Sequence, residues 1–385
     1  MINKVFILGN HIQALGLCRQ ISNYGVDVIL FTNTKHSISR YSNSVKKSII
    51  FKNEDELLIK ITTLKENSKT ILLFPTNDQM VAFLSTNYNY LSESFYIGIP
   101  EPKTVDIFAN KRNTYRFAAE NSIPIPESYF PENMSELKIL SDKLTYPVII
   151  KPAIMHSFHK IFRKKAFKCN NKKELIERTI QITERFPIEE LIIQEFLDGG
   201  AKTLFSYGTF AVKGKPIASI MANRIRQNPM DFGNSTTYAV TCNIPKIKEQ
   251  AEKILNLTNY FGLAEVEFMY DAKTKQYKFL EINTRAWKWH SISNGLGFSF
   301  IGKMIAFLDT GDKTEMKEFD KEVAWVERLT DIAVIIKELF HGNFIITTAL
   351  KSYKIKKVYA VWSLEDLKPF IMYILFSPVL FLKRH

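Results

Sequence analysis

The sequence predicts an α/β N-terminal domain on an open parallel sheet, then a body of mixed α/β and α+β character, and a C-terminal helical extension. Three observations carry this. Residues from Lys4 to Phe31 read strand, helix, strand. Leu263–Tyr270 and Phe279–Thr284 read as two strands joined by the polar turn Asp271-Ala272-Lys273-Thr274-Lys275. From about Thr314 the pattern turns helical and apolar. With 385 residues, 46% hydrophobic and 24% charged, the chain is long enough for two or three cores.

The opening strand is Val5–Leu8. Ile12, Leu15 and Ile21 then fall at helical spacing, and Gly25 turns the chain into Val26–Phe31. A nicotinamide-binding reading fails in the detail. The turn Gly9-Asn10-His11-Ile12-Gln13-Ala14 lacks the second and third glycines of the fingerprint, and Phe31-Thr32-Asn33 offers no acid for a ribose hydroxyl. Thr70–Phe74 is a further buried strand ending in Pro75-Thr76-Asn77-Asp78. Open sheets bind ligands at that edge, so Asp78 is either a contact for an amine or hydroxyl or, preferably, the cap of a helix from Gln79. Ile97–Pro102 closes a first domain at 1–103.

A helix starts near Asn110-Lys111, where Lys111 can meet an anion. Tyr146–Pro152 is a buried strand that ends on Lys151. A lysine there demands a negative partner, either nucleotide phosphate or a salt bridge. His156–Lys165 reads as a basic turn before a short strand, and His156 and His159 lack the companions of a metal site. Leu191–Leu197 is a strand running into Gly199-Gly200, with backbone groups near Glu195 to Leu197 placed to read an adenine edge. Leu204–Val212 and Pro216–Ala222 form a hairpin about Lys213-Gly214-Lys215. Arg224 and Arg226 then share a strand face and suit a carboxylate or phosphate, with Gly233 and Ser235 in a substrate-facing loop.

The hairpin of Glu267 and Glu281 is the most informative stretch. Glu281 and Asn283 alternate with apolar Leu280 and Ile282, so their oxygens share one face, and Arg285 continues the line. Glu267 across the ladder would repel Glu281 unless a divalent cation lies between them. Hard oxygen donors favour Mg2+ or Mn2+ over zinc. An exposed hairpin with charges on its wet face is the alternative.

A net charge of +13 and a pI near 9.3 imply an anionic partner. No reader motif points to nucleic acid. Cys18, Cys169 and Cys242 form no Cys-x-x-Cys pair, which suits a reducing cytoplasm. Trp325–Leu339 reads as a helix. Phe370–Leu382 is apolar, too short to span a bilayer and interrupted by Pro378. It precedes Lys383-Arg384-His385. This segment either packs against the body or a second subunit, the preferred reading, or lies on the inner face of a membrane.

With these pieces in order, the chain from about Met1 to Gly311 resembles the ATP-grasp superfamily of carboxylate–amine and carboxylate–thiol ligases. The resemblance implies a pre-ATP-grasp domain at 1–103, an ATP-grasp domain at 104–312 with a lid at about 125–197, and an extension at 313–385. It implies ATP and Mg2+ or Mn2+ as cofactors. Glu267, Glu281 and Asn283 match the metal ligands, and Lys111, Lys151 and Lys165 the phosphate-binding lysines. Gln194, Glu195, Phe196 and Leu197 match the adenine hinge, and Arg226 and Arg285 the residues that steer the acyl and γ-phosphates. Two departures stand out: Ala201-Lys202-Thr203-Leu204 lacks the usual ribose-binding acid, for which Asp198 can substitute, and Thr284 replaces a proline. The function implied is acyl-phosphate formation from a small-molecule carboxylate, followed by amide formation with an amine; if the apolar C-terminal segment touches membrane, cell-envelope or polysaccharide precursor modification is the expected setting. A catalytically weak nucleotide-binding or membrane-associated partner protein is the alternative.

Overall fold

The computed structural model describes residues 1–230, 235–316, 319, 321–342, 347 and 352–382, without the side chains of 155, 156 and 378–382. The chain divides into two compact units. The first comprises Met1–Val105, Ser206–Glu265 and Asn283–His385; the second comprises Asp106–Phe205 and Val266–Ile282.

In the first unit, β1 (Lys4–Leu8), β2 (Asp27–Thr32), β3 (Lys47–Ile50), β4 (Ile71–Pro75) and β5 (Tyr96–Ile97) form a sheet in the order β3-β2-β1-β4-β5. Every pairing is parallel. Val5 to Leu8 are buried on both faces, which is why they form an unbroken apolar run. The strand order reverses between β1 and β4, and the crevice beyond their carboxyl ends is the ligand-binding edge of such sheets. Gly9 lies there at φ +119°, and a Cβ on it would collide with Thr76 Oγ1. The one retained glycine thus lets the two strand ends approach. Asn77, not Asp78, caps the helix Asp78–Thr86, its side chain accepting from the Met80 N–H.

The second unit holds β6 (Ser128–Tyr129), β7 (Val148–Pro152), β8 (Phe167–Cys169) and β9 (Leu191–Glu195) in the antiparallel order β6-β9-β7-β8. The expected basic turn at 156–165 is instead largely the helix Met155–Phe162. Phe158 and Phe162, one helical turn apart, pack with tilted rings at 4.6 Å, and Phe158 meets Phe186 at 5.1 Å. This apolar pair commits the segment to a helix, which Arg163 ends in the left-handed conformation. His159 faces solvent there, and the side chain of His156 lies outside the described residues.

The remaining strands are β10 (Leu204–Val212), β11 (Lys215–Asn228), β12 (Ser235–Cys242), β13 (Gly262–Asp271), β14 (Gln276–Asn283), β15 (Ala324–Val326) and β16 (Lys357–Tyr359). In the first unit they run β13-β10-β11-β12-β15-β16, and in the second β13 lies beside β14. The hairpin of β10 and β11 turns at Lys213-Gly214, as expected. Trp325 corrects another expectation. It belongs to β15, opposite Ala239 of β12, and the helix begins only at Arg328. The short apolar run Val323–Val326 is almost wholly buried, and a place inside the sheet prevails over helical spacing.

The C-terminal helix Lys368–Leu382 runs on past Pro378. One side packs on the body: Phe376 lies 5.1 Å from His36 and 5.9 Å from Tyr41, and Phe370 lies 4.8 Å from Trp362. Among the described residues, no single helix is long and apolar enough to cross a membrane. Gly233 of the expected substrate-facing loop and the closing Lys383-Arg384-His385 lie outside the described residues.

His290 is fully buried, its Nε2 bonded to the Gln13 carbonyl at 3.1 Å. Burial pushes its pKa down from 6.5 to about 4. Below pH 6.5 the unfolded chain therefore takes up a proton that the native chain refuses, and stability falls until the native pKa is reached. We expect this to remove about 3 kcal/mol between pH 7.5 and 4. Urea unfolding across that range should show a shallower pH slope for His290→Gln than for the parent.

Candidate active site

In the second unit, strand register brings the predicted phosphate lysines onto carboxylates and neutral oxygens. Lys111, first residue of the helix Lys111–Glu120, forms an ion pair with Glu281 of β14. Lys151 of β7 donates to Tyr115 Oη at 2.6 Å and to Gln194 Oε1 at 2.7 Å. Gln194 of β9 in turn donates to Ser128 Oγ of β6 at 2.7 Å, so one carboxamide ties three strands together. Tyr115 Oη also donates to the Leu280 carbonyl at 3.0 Å. Lys278 pairs with Glu195 and, at 3.0 Å, with Asp271.

The electrostatics of this cluster have identifiable causes. The Lys111 charge draws the Glu281 carboxyl well below the usual range against the opposing effect of burial, with Lys165 and Lys151 pulling the same way. Burial opposes the charge on Lys111, yet the nearby Glu281, Tyr115 and Glu267 raise its pKa overall. Lys151 moves the other way: burial lowers its pKa, the neighbouring Lys111 adds to the fall, and Tyr115 and Glu281 only partly offset them. Lys111, Lys151 and Lys165 thus act on Glu281, and Glu267 acts on Lys111, within one unit. At the expected hinge, the Glu195 N–H donates to the Glu127 carbonyl and the Phe196 N–H to the Pro147 carbonyl. Lys168 lies 3.9 Å above the Phe196 ring. Leu197 follows, half-buried.

The first unit holds a second polar network, built at the carboxyl edge of β4. Arg285 donates to both oxygens of Asp78, at 2.6 and 3.3 Å, and to Asn283 Oδ1 at 3.3 Å. Asn283, the third expected metal ligand, donates to Glu265 at 3.0 Å. Buried Glu265 also accepts from Arg224 at 3.1 Å and from Trp289 Nε1 at 2.8 Å. The sequence reading passed over Glu265, although its place two residues before Glu267 put it on the same strand face.

Arg226 is a correction. Expected beside an acyl phosphate, it is 1% exposed and grips Asp331 through Nε at 2.7 Å and Nη2 at 2.8 Å. Thr237 and Tyr353 also donate to Asp331, each at 2.9 Å, and the guanidinium stacks on Tyr238. The pairing of β11 with β12 shifts register between Arg224 and Arg226, so simple alternation does not describe the two arginines, and they serve different carboxylates.

Residues 234–306 match the family model of the carbamoyl-phosphate synthase L chain, ATP binding domain. Over 303 residues the chain is 24% identical to a D-aspartate ligase of Enterococcus faecium, covering 74% of this chain and 72% of that one. These likenesses indicate the ATP-grasp superfamily. Solved structures of similar fold include an N5-carboxyaminoimidazole synthetase from Staphylococcus aureus complexed with ADP (TM-score 0.67, 15% identity, 88% of this chain and 86% of that one). Another is the biotin carboxylase domain of a Hydrogenobacter thermophilus 2-oxoglutarate carboxylase in complex with MgADP (TM-score 0.64, 15% identity, 84% and 73%). The matched stretch 234–306 contains Glu267, Glu281, Asn283 and Arg285.

Leaving Arg226 buried without its carboxylate should cost about 3–5 kcal/mol. Asp331→Ala is therefore expected to lower the urea midpoint sharply, and a midpoint within error of the parent would show that the pair does not hold β11 to the helix Arg328–Phe340.

Proposed function

We propose that this ATP-grasp chain is an ATP-dependent carboxylate–amine ligase. The observation that carries the reading is the placing of two lysines in one unit, Lys111 on Glu281 and Lys151 on Tyr115 Oη and Gln194 Oε1. The likeness to a D-aspartate ligase supports an amino acid as the carboxylate substrate.

Lys111 and Lys151 bind the phosphates of ATP, and Gln194 to Leu197 hold the adenine. A carboxylate oxygen of the substrate attacks the γ-phosphorus, the bond from that phosphorus to the bridging oxygen breaks, and ADP leaves. The amine nitrogen then attacks the acyl carbon, inorganic phosphate departs, and the nitrogen loses a proton. The first step brings two anions together, and unit charges ~4 Å apart repel by about 4 kcal/mol at an effective dielectric near 20. Lys151 and Lys111 offset that repulsion.

The donor set also fits a divalent cation. Among the described residues no three His, Cys, Asp or Glu side chains gather at one point. Two carboxylates completed by phosphate oxygens are the usual holding of Mg2+. Glu267 and Glu281 would hold Mg2+ or Mn2+, which supplies charge neutralisation on the transferring phosphoryl. In the first unit, Arg285, Asn283 and Asp78 form the candidate substrate-binding group at the ligand edge of β1 and β4. The finer reading, an amine carried by a cell-envelope or polysaccharide precursor on the cytoplasmic side, rests on the apolar C-terminal helices.

Glu281→Ala and Lys151→Ala should each lower ATP-dependent amide formation by about 100-fold or more. The assay is ADP release with D-aspartate and other amino acids, each with and without candidate amines. Release that needs both acid and amine in the parent supports the ligase. Release indifferent to them favours the nucleotide-binding partner protein instead.

A further inference from the structure

We propose that the helices Arg328–Phe340 and Lys368–Leu382 of the first unit form a docking face for an anionic lipid bilayer. The inference goes beyond the ligase reading and does not depend on it.

The helix Arg328–Phe340 is inside out. Its buried side carries Asp331 and Val334, while Leu329, Ile332, Ile336 and Phe340 are exposed, Phe340 to 87%. Those four recur at intervals of three and four residues and make one apolar stripe along the helix. The helix Lys368–Leu382 repeats the pattern. Tyr373 is buried, while Ile371, Ile374 and Leu375 are exposed, with Leu367 just before the helix. The two helices are neighbours: Thr330 Oγ1 lies 3.4 Å from Tyr373 Oη. Two adjoining helices that both turn their apolar side to solvent exceed the scattered exposure of an ordinary surface.

Charge selects the occupant. Arg328, Lys337 and Lys368 are exposed on these helices, and Lys383-Arg384-His385 follows directly in sequence. From Leu367 to His385 there is no acidic residue. The nearby acids Asp331 and Asp366 are buried against Arg226 and Arg19, Glu338 is half-buried, and Glu365 is exposed, one acid against three exposed cations. A second copy would bring like charge to like, on a chain of net charge +13. An anionic lipid surface takes both the apolar stripes and the cations. Among the described residues no single helix can cross a membrane, so the helices lie along its surface.

The test is co-sedimentation of the full chain with vesicles of phosphatidylcholine, alone or with about one-third phosphatidylglycerol. We expect binding to the anionic vesicles that weakens as salt rises. I332N/I336N and I371N/L375N should each reduce that binding about tenfold or more, while circular dichroism and ATP turnover stay those of the parent. A parent chain that remains in the supernatant with both vesicle types overturns the proposal. So does vesicle binding undiminished in both double variants. Sedimentation velocity distinguishes the remaining occupant: a concentration-dependent dimer abolished by the same substitutions, without vesicle binding, also overturns it.

Discussion

The arrangement of the second unit depends on one constraint: lysine charges withdrawn from water must meet oxygen. An ammonium taken from solvent without a partner loses its charge or destabilises the fold. Lys111 solves this with a carboxylate, Glu281. Lys151 rests instead on two neutral oxygens, Tyr115 Oη and Gln194 Oε1, with Lys111 repelling it from nearby. Its burial and its like-charged neighbour both disfavour the ammonium form, and in the proposed function an arriving triphosphate would relieve both effects. The same arrival would free Glu281 to exchange Lys111 for a cation, because Lys111 would then have phosphate oxygens to bind. The resting ion pair and the proposed nucleotide contacts are thus alternative pairings of the same charges, and the cluster stays neutralised in either state.

Three arginine–carboxylate pairs in the first unit show how burial divides structural from functional charge. Arg226 and Asp331 are 1% and 0% exposed, and further hydrogen bonds from Thr237 and Tyr353 satisfy the carboxylate. Such a pair fixes a strand to a helix 105 residues away in sequence and is costly to break from either side. Arg285 and Asp78 lie at the other extreme, with side chains 15% and 81% exposed. Water screens that pair, so exchanging Asp78 for a substrate carboxylate costs little. Arg224 and Glu265 fall between and link strand β11 to Asn283 and Trp289. Position at the ligand edge and ready exchange both favour Arg285 over Arg226 for contact with substrate.

What the sequence made legible was local periodicity. The opening βαβ unit, the turn at Lys213-Gly214 and the strand ending on Lys151 are set by residues within a few positions of one another. Alternation along β14 likewise singled out Glu281 and Asn283. What escaped it was set by distant partners. Nothing near Arg226 announces Asp331, and a register shift in the ladder removed the alternation on which its face was inferred. Trp325 was drawn into a strand by β12 and β16, which lie far from it in sequence. The helix Met155–Phe162 was hidden by its two histidines, Lys160 and the basic run that follows, whose polarity suggested a turn while Phe158 and Phe162 were closing a core.

Glu195, the acid nearest the proposed adenine site, is neutralised by Lys278, a buried lysine shared with Asp271. Removing Glu195 from that arrangement would leave Lys278 with one carboxylate fewer in a poorly solvated place, so its carboxylate is held for structure. The stretch from Ala201 to Leu204, a single 3-10 turn running into β10, contributes no acid of its own, and Asp198 stands exposed just before Gly199. Solvent competes with whatever Asp198 offers a ribose hydroxyl, whereas Lys151 meets phosphate in a site where its charge is already disfavoured. Phosphate contacts therefore supply most of the nucleotide's binding in this reading, and the ribose end contributes little. In the proposed function, the missing ribose acid is therefore compatible with nucleotide binding, provided the lysine and glutamate charges of the second unit keep their pairing.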